Sequence, residues 1–129
     1  MSLRDGNSEV EDLIAAKWRL VLGMDDDLID SKMVRAAYSH PRLRVLFPAV
    51  SHGSLQLSRC TRIPYTRDVP ALFRRMGGGF TVLRMNVPLR TEHSIVGEPE
   101  TLEEAIALIV ANLPPGCGSA IEGTADDLA

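Results

Sequence analysis

Apolar residues recur at helical spacing near the start of the chain, at Val10, Leu13, Ile14, Trp18, Val21 and Leu22, and Gly23 closes the run. Ser8 followed by Glu11 has the spacing of a capping box, in which a hydroxyl and a carboxylate satisfy backbone donors at a helix start. This predicts a first helix. A second stripe of Leu28, Ile29, Met33, Val34 and Ala37 predicts another, with Asp25, Asp26 and Asp27 at its electropositive N-terminal end and His40-Pro41 as its stop. Together they read as a helical hairpin.

Further on the periodicity shortens. The segment from Arg42 to Phe47 alternates Arg with Leu and Val in the manner of an edge strand, but it is too short to assign. From Ser54 to Arg62 the chain opens with strict alternation, Leu55 and Leu57 on one face and Gln56 and Ser58 on the other, as a half-buried strand requires. Arg59 then falls on the leucine face. A second strand is expected from Phe80 to Val87, where apolar side chains occupy both faces, and Gly77-Gly78-Gly79 forms the turn into it. The connection from Ile63 to Met76 is predicted to hold a short helix around Ala71 to Arg75. Thr101 and Glu104 form a second capping box, and Leu102, Ala105, Ile106, Ile109, Val110 and Leu113 make a wide apolar stripe ended by Pro114-Pro115-Gly116. That last helix must pack on the sheet. The expected architecture is a single α+β domain over residues 1–129: an N-terminal helical hairpin, a small antiparallel sheet of three or four strands, and a C-terminal helix on one sheet face. Residues 1–7 and 124–129 are expected to be flexible.

Charge changes this picture more than composition does. Between Arg42 and Arg90 there are nine arginines and one acid, Asp68, whereas residues 91–129 carry eight acids and no Lys or Arg. The net charge of −3 therefore conceals a polarised molecule. The basic middle is either neutralised by the acidic C-terminal part or presents guanidinium groups to a carboxylate, phosphate or acidic peptide. With 129 residues the chain is long enough to bury a core without staples. No apolar run approaches the ~18 residues of a membrane span, and no basic start leads into an apolar segment, so no membrane association and a cytoplasmic address are expected. The two cysteines, Cys60 and Cys117, are expected to be free.

The candidate chemistry lies in the arginine-rich middle. Ser51-His52-Gly53-Ser54 precedes the first predicted strand, which places His52 either as a turn cap or as an imidazole at a ligand site. Arg59-Cys60-Thr61-Arg62 with Tyr65, Arg67 and Asp68 is the densest polar cluster. Two readings stand for it. Arg59 is paired structurally, with Asp68 or an acid of the Glu98 to Glu104 segment, or Arg59 with Arg62 or Arg67 grips an anion while Tyr65 lines the pocket. Cys60 beside arginines is either an activated thiol or a small core residue. The three histidines are scattered and the cysteines far apart, so no metal and no cofactor are expected. Gly77-Gly78-Gly79 lacks the Lys-Ser/Thr of a phosphate loop, and nothing resembles a nucleic-acid-binding module.

A resemblance adds to this reading. Across Pro41-Arg42-Leu43-Arg44-Val45-Leu46-Phe47-Pro48, Ser51-His52-Gly53, Ser58-Arg59-Cys60-Thr61, Asp68-Val69-Pro70 and Leu113-Pro114-Pro115-Gly116-Cys117-Gly118, the chain resembles a family of small actinobacterial natural product biosynthesis proteins. The likeness runs from Trp18 onward, and Ser119 stands where relatives carry proline. It implies an accessory or tailoring protein whose partner is a biosynthetic intermediate or precursor peptide, the alternative being a non-catalytic binding, self-protection or scaffolding protein. More distantly, in size and setting, the chain is similar to accessory enzymes that close lysinoalanine bridges in lantibiotics by adding an amine to a dehydroamino acid. That chemistry would need a base and a cation, and the candidates this chain offers for those roles are His52 and Arg59 or Arg67. Small sheets with open edges often dimerise, which makes a homodimer plausible.

Overall fold

A computed structural model describes residues 6–88, 91 and 93–128. It is an α+β fold of three helices and one five-stranded antiparallel sheet whose strands lie side by side in chain order. The elements run α1 (Gly6–Leu22), α2 (Ser31–Ser39), β1 (Phe47–Ser51), β2 (Ser54–Ser58), β3 (Ala71–Arg74), β4 (Phe80–Leu83), β5 (Ile95–Gly97), α3 (Leu102–Ala111) and a closing 3-10 turn, Ala125–Leu128.

The expected hairpin, sheet and C-terminal helix are present, with corrections in detail. The predicted cap of α1 rests on the Ser8 side chain, which lies outside the described residues. Asp25, Asp26 and Asp27 precede α2 instead of opening it; Asp30 is the N-cap, its carboxylate accepting from the Lys32 N–H at 2.9 Å, and Asp26 accepts from the Ser31 N–H. The segment 41–45 is a run of turns, so the alternation of Arg42 to Phe47 does not become a strand. β1 begins only at Phe47. The helix expected at Ala71 to Arg75 is instead strand β3, paired to β4 from Ala71↔Leu83 to Arg74↔Phe80. β4 ends at Leu83, four residues short of the expected limit, and β5 was not foreseen.

Register explains where the core lies. Leu57 faces Pro48 and Leu55 faces Val50 across β1–β2, while Leu55, Leu72, Val82 and Gly97 align across the next three ladders. A Cβ on Gly97 would come 2.7 Å from the Leu108 Cδ1 atom, so a glycine is what lets α3 lie this close to the sheet. Ile14, Trp18 and Val21 of α1, Met33, Val34 and Ala37 of α2, and Ala105, Ile106 and Ile109 of α3 complete the same core. Trp18, only 1% exposed, donates its indole N–H to the Leu46 carbonyl at 3.0 Å, which satisfies its one polar group inside an apolar setting. α3 starts as the capping box requires, Thr101 Oγ1 accepting from the Glu104 N–H. At the sheet edges β1 carries Pro48, which has no N–H to offer, and β5 is three residues long; both features discourage strand addition.

Candidate functional site

The turn between β1 and β2 consists of His52 and Gly53, with φ of 51° and 77°. Two successive positive φ values are the signature of a tight hairpin turn whose twist matches the strands it joins. His52 is therefore a turn residue with an exposed ring. The whole of β2 separates it from Arg59, on the order of 20 Å at the rise of a strand. The structure does not bring the candidate base and the candidate cation together.

Arg59 follows β2 and turns back to Asp68. Its Nε donates to Asp68 Oδ2 at 3.0 Å and its Nη2 donates to the same oxygen, with the side chains 22% and 27% exposed. Among the described residues Asp68 Oδ1 is buried without a hydrogen-bond partner. Burial pushes the Asp68 carboxyl up, but the hydrogen bonds and charge of Arg59 outweigh it and hold the group below the usual carboxylate range. The same hydrogen bond raises the Arg59 guanidinium. A shallow cleft of about 280 Å³ opens here, and Arg59, Tyr65, Arg67 and Asp68 all line it, joined by Asn86. Arg62 is not among them: it points to the surface and pairs with Glu122 at 3.2 Å. Four of the five expected ligand residues thus converge, but the guanidinium at their centre is already neutralised.

The other arginines divide in the same way. Arg75 pairs with Glu98, and Arg74 with Asp30. Arg84 donates to the His93 carbonyl and to Asn112, while Arg90 lies outside the described residues. The reading of internal neutralisation is therefore partly realised, since Arg62 and Arg75 reach acids of the C-terminal part. Cys60 is fully buried, its sulfur 3.3 Å from Ser58 Oγ, and has no access for a substrate. Cys117 is half-buried and burial pushes its thiol up, against the pull of Arg59. Both are free thiols. Among the described residues no three His, Cys, Asp or Glu side chains gather as a metal site, and no helix is long and apolar enough to cross a membrane.

A larger cavity lies elsewhere, between α1 and the segment 119–122, with a volume of about 740 Å³. From α1 come Val10, Glu11, Ile14, Ala15 and Trp18; Tyr38 enters from the end of α2, Arg44 and Val45 from the turns that follow. Trp18 and Tyr38 stack at 5.3 Å with planes tilted by 56°. The Arg44 guanidinium lies 5.2 Å from the centre of the Tyr38 ring, and two carbonyls hold it there: Nε donates to Tyr38 O at 3.0 Å and Nη2 to Ser39 O at 3.1 Å. The last carbonyls of a helix have no partner within it, so Arg44 completes the end of α2 while projecting into the cleft. No ion pair to Arg44 occurs among the described residues. A second groove of about 660 Å³ between α2 and α3 is more uniformly apolar, lined by Ala36, Leu102, Ile106 and Val110 with Ser39, His40 and Glu103 as its polar members, and among the described residues no guanidinium lines it. An apolar cavity with a few convergent polar groups is the usual form of a small-molecule site, which singles out the first cleft.

Sequence reasoning missed this site for a physical reason. Val10, Ile14 and Trp18 form one stripe, and nothing in its spacing tells core from cleft floor. Arg44 belonged to the unassigned segment, and its alternation with leucine and valine was the one available signal. The far wall is held by long-range backbone bonds, Ala120 N to Val45 O and Ile121 N to Arg59 O. No curated protein and no solved structure matches the chain. A family model does, over residues 12–124, and the chain belongs to that family, DUF6193, a family of unknown function.

Proposed function

We propose that this chain is an accessory protein of natural product biosynthesis in the cytoplasm, of the actinobacterial modified-peptide kind its sequence resembles. It acts by binding a peptide or small intermediate in the cleft between α1 and residues 119–122. The observation that carries the binding reading is the cleft itself: about 740 Å³, an apolar floor, and a fixed guanidinium with no ion-pair partner among the described residues. The tailoring reading, amine addition to a dehydroamino acid, is less well supported, because it needs a base and a cation at one place. His52 and Arg59 stand at opposite ends of β2, and Arg67 shares the cleft of Arg59.

Deleting the gene from its host and profiling the products by mass spectrometry tests the biosynthetic role. Loss or truncation of a product supports it, and an unchanged product set with unchanged host tolerance removes it. Complementation then separates the mechanisms. Ala15→Trp, which fills the cleft from an exposed helix position, should fail to restore the product, whereas His52→Ala should restore it. Failure of His52→Ala with success of Ala15→Trp would overturn the cleft reading in favour of catalysis at the hairpin.

A further inference from the structure

The cleft carries more information than its volume, because its one cation among the described residues, Arg44, is held in a defined orientation. Arginine has five N–H donors. Two contacts, Nε to Tyr38 O and Nη2 to Ser39 O, account for two of them, so among the described residues both hydrogens of Nη1 and one of Nη2 have no partner. The carbonyls and the Tyr38 ring fix the plane of the group, so a ligand would not have to order a flexible side chain on binding. We propose that the cleft selects a ligand with a single carboxylate on an apolar body, the carboxylate held by Arg44 and the body lying over Val10, Ile14 and Tyr38. This rests on the reading that the cleft is the ligand site.

Two features of the walls narrow the chemistry to a monoanion. Glu11 on α1 and Glu122 on the opposite wall both line the cleft. Glu122 is compensated by Arg62 at 3.2 Å, while Glu11 is exposed with no ion pair among the described residues. A dianionic phosphate would meet one guanidinium and at least one uncompensated carboxylate, so repulsion would offset its attraction. A carboxylate carries half that charge, and a zwitterion such as a peptide end could also place its ammonium toward Glu11. Shape agrees as well, since a cavity of this size takes a ligand of drug-like dimensions.

The rival account is that Arg44 only completes the end of α2. The two differ in selectivity, so the experiment uses three small probes: N-acetylphenylalanine, its amide, and phenyl phosphate. Binding is followed by titration calorimetry and by amide shifts of α1 and residues 119–122. The expected result is that N-acetylphenylalanine binds at least about ten-fold more tightly than the amide and more tightly than phenyl phosphate, a factor of ten being about 1.4 kcal/mol, just under the range for one charge-assisted hydrogen bond. Arg44→Gln should erase the preference for carboxylate over amide, and Arg44→Lys should keep part of it. Equal binding of acid and amide to the wild-type chain would overturn the carboxylate assignment while leaving the cleft as the site, as would tighter binding of phenyl phosphate. Absence of any shift in α1 or 119–122 with all three probes would remove the site itself. Should Arg44→Gln fail to fold, the wild-type comparison and Arg44→Lys still decide the question.

Discussion

Replacing Arg59 with alanine tests whether the densest polar cluster is scaffolding or a binding site. In the folded chain Asp68 Oδ2 accepts two N–H donors of Arg59, and Oδ1 is buried without a partner among the described residues. Removing the guanidinium strips the carboxylate of both charge-assisted bonds, each worth roughly 1.5 to 3 kcal/mol. Because the two side chains keep 22% and 27% of their surface, water recovers part of that loss. The net cost should be about 2 to 4 kcal/mol, below the full 3 to 5 of a completely buried broken pair. For a chain of this length that lowers the melting temperature by roughly 10 °C. The assay is urea unfolding followed by Trp18 fluorescence, on Arg59→Ala, Asp68→Ala and the double variant. The double variant should be less destabilised than the sum of the singles, with a coupling of roughly 2 kcal/mol, since no carboxylate is then left stranded. A single-variant cost under about 0.5 kcal/mol, or strict additivity, would refute the structural reading and return Arg59 to the list of free anion-binding groups.

Other expectations follow from single contacts. His52→Asn should leave the fold intact and raise stability by a few tenths of a kcal/mol, because Asn-Gly is the preferred pair for two positive φ values; a loss above ~1 kcal/mol in urea unfolding would show that the imidazole does more than turn the chain. Gly97→Ala should cost about 1 to 3 kcal/mol, since its Cβ would press on Leu108 at 2.7 Å, and an unchanged melting temperature would mean that α3 does not sit as close as described. Asp68 has a folded pKa below its unfolded value near ~3.9, so its contribution is present above that pH and is lost as pH falls through the lower folded value. Acid unfolding below about pH 4 should accordingly be shallower in Asp68→Asn than in the wild type, and identical acid limbs would contradict the assignment. Both cysteines should react in denaturant, whereas the native protein should show no reaction at Cys60 and slow reaction at Cys117, whose thiol is pushed up by burial; rapid native labelling of either would contradict the packing.

The helices that close the core were legible because each carries its own punctuation. Thr101 and Glu104 mark the start of α3, His40-Pro41 the end of α2, and Gly23 the end of α1. Of the acids 25 to 27, Asp26 does reach the start of α2, accepting from the Ser31 N–H, but the N-cap itself is Asp30, which accepts from the Lys32 N–H. β3 was unreadable for another reason: Ala71-Leu72-Phe73-Arg74 is four residues with no alternation of polarity, and its strand conformation is imposed by pairing with β2 and β4. β1 hid behind Pro48, which argues against a central strand and is tolerated only at an edge. Pairing of Arg59 with Asp68 was foreseeable across nine residues, but a cleft that joins positions 10 and 122 was not.

Why those distant positions meet also explains what the polarised charge does. The segment 119–128 is fastened by backbone bonds to the turns and the excursion it crosses: Ala120 N to Val45 O, Ile121 N to Arg59 O, Arg62 N to Gly123 O and Ala125 N to Pro64 O. Its outer charge, Glu122, meets Arg62 at the same place. The acidic C-terminal part therefore folds back over the basic middle, and in doing so forms one wall of the large cleft and, through Ala125 and Leu128, one wall of the small one. Arg59 lies at the root of both, its carbonyl holding Ile121 and its side chain holding Asp68. Among the described arginines of the middle segment, Arg59, Arg62, Arg74 and Arg75 pair with acids and Arg84 donates to the His93 carbonyl. Arg44 is also anchored by carbonyls, yet among the described residues it alone combines that anchoring with a place in the apolar cleft, which is why the ligand question reduces to what meets its remaining donors.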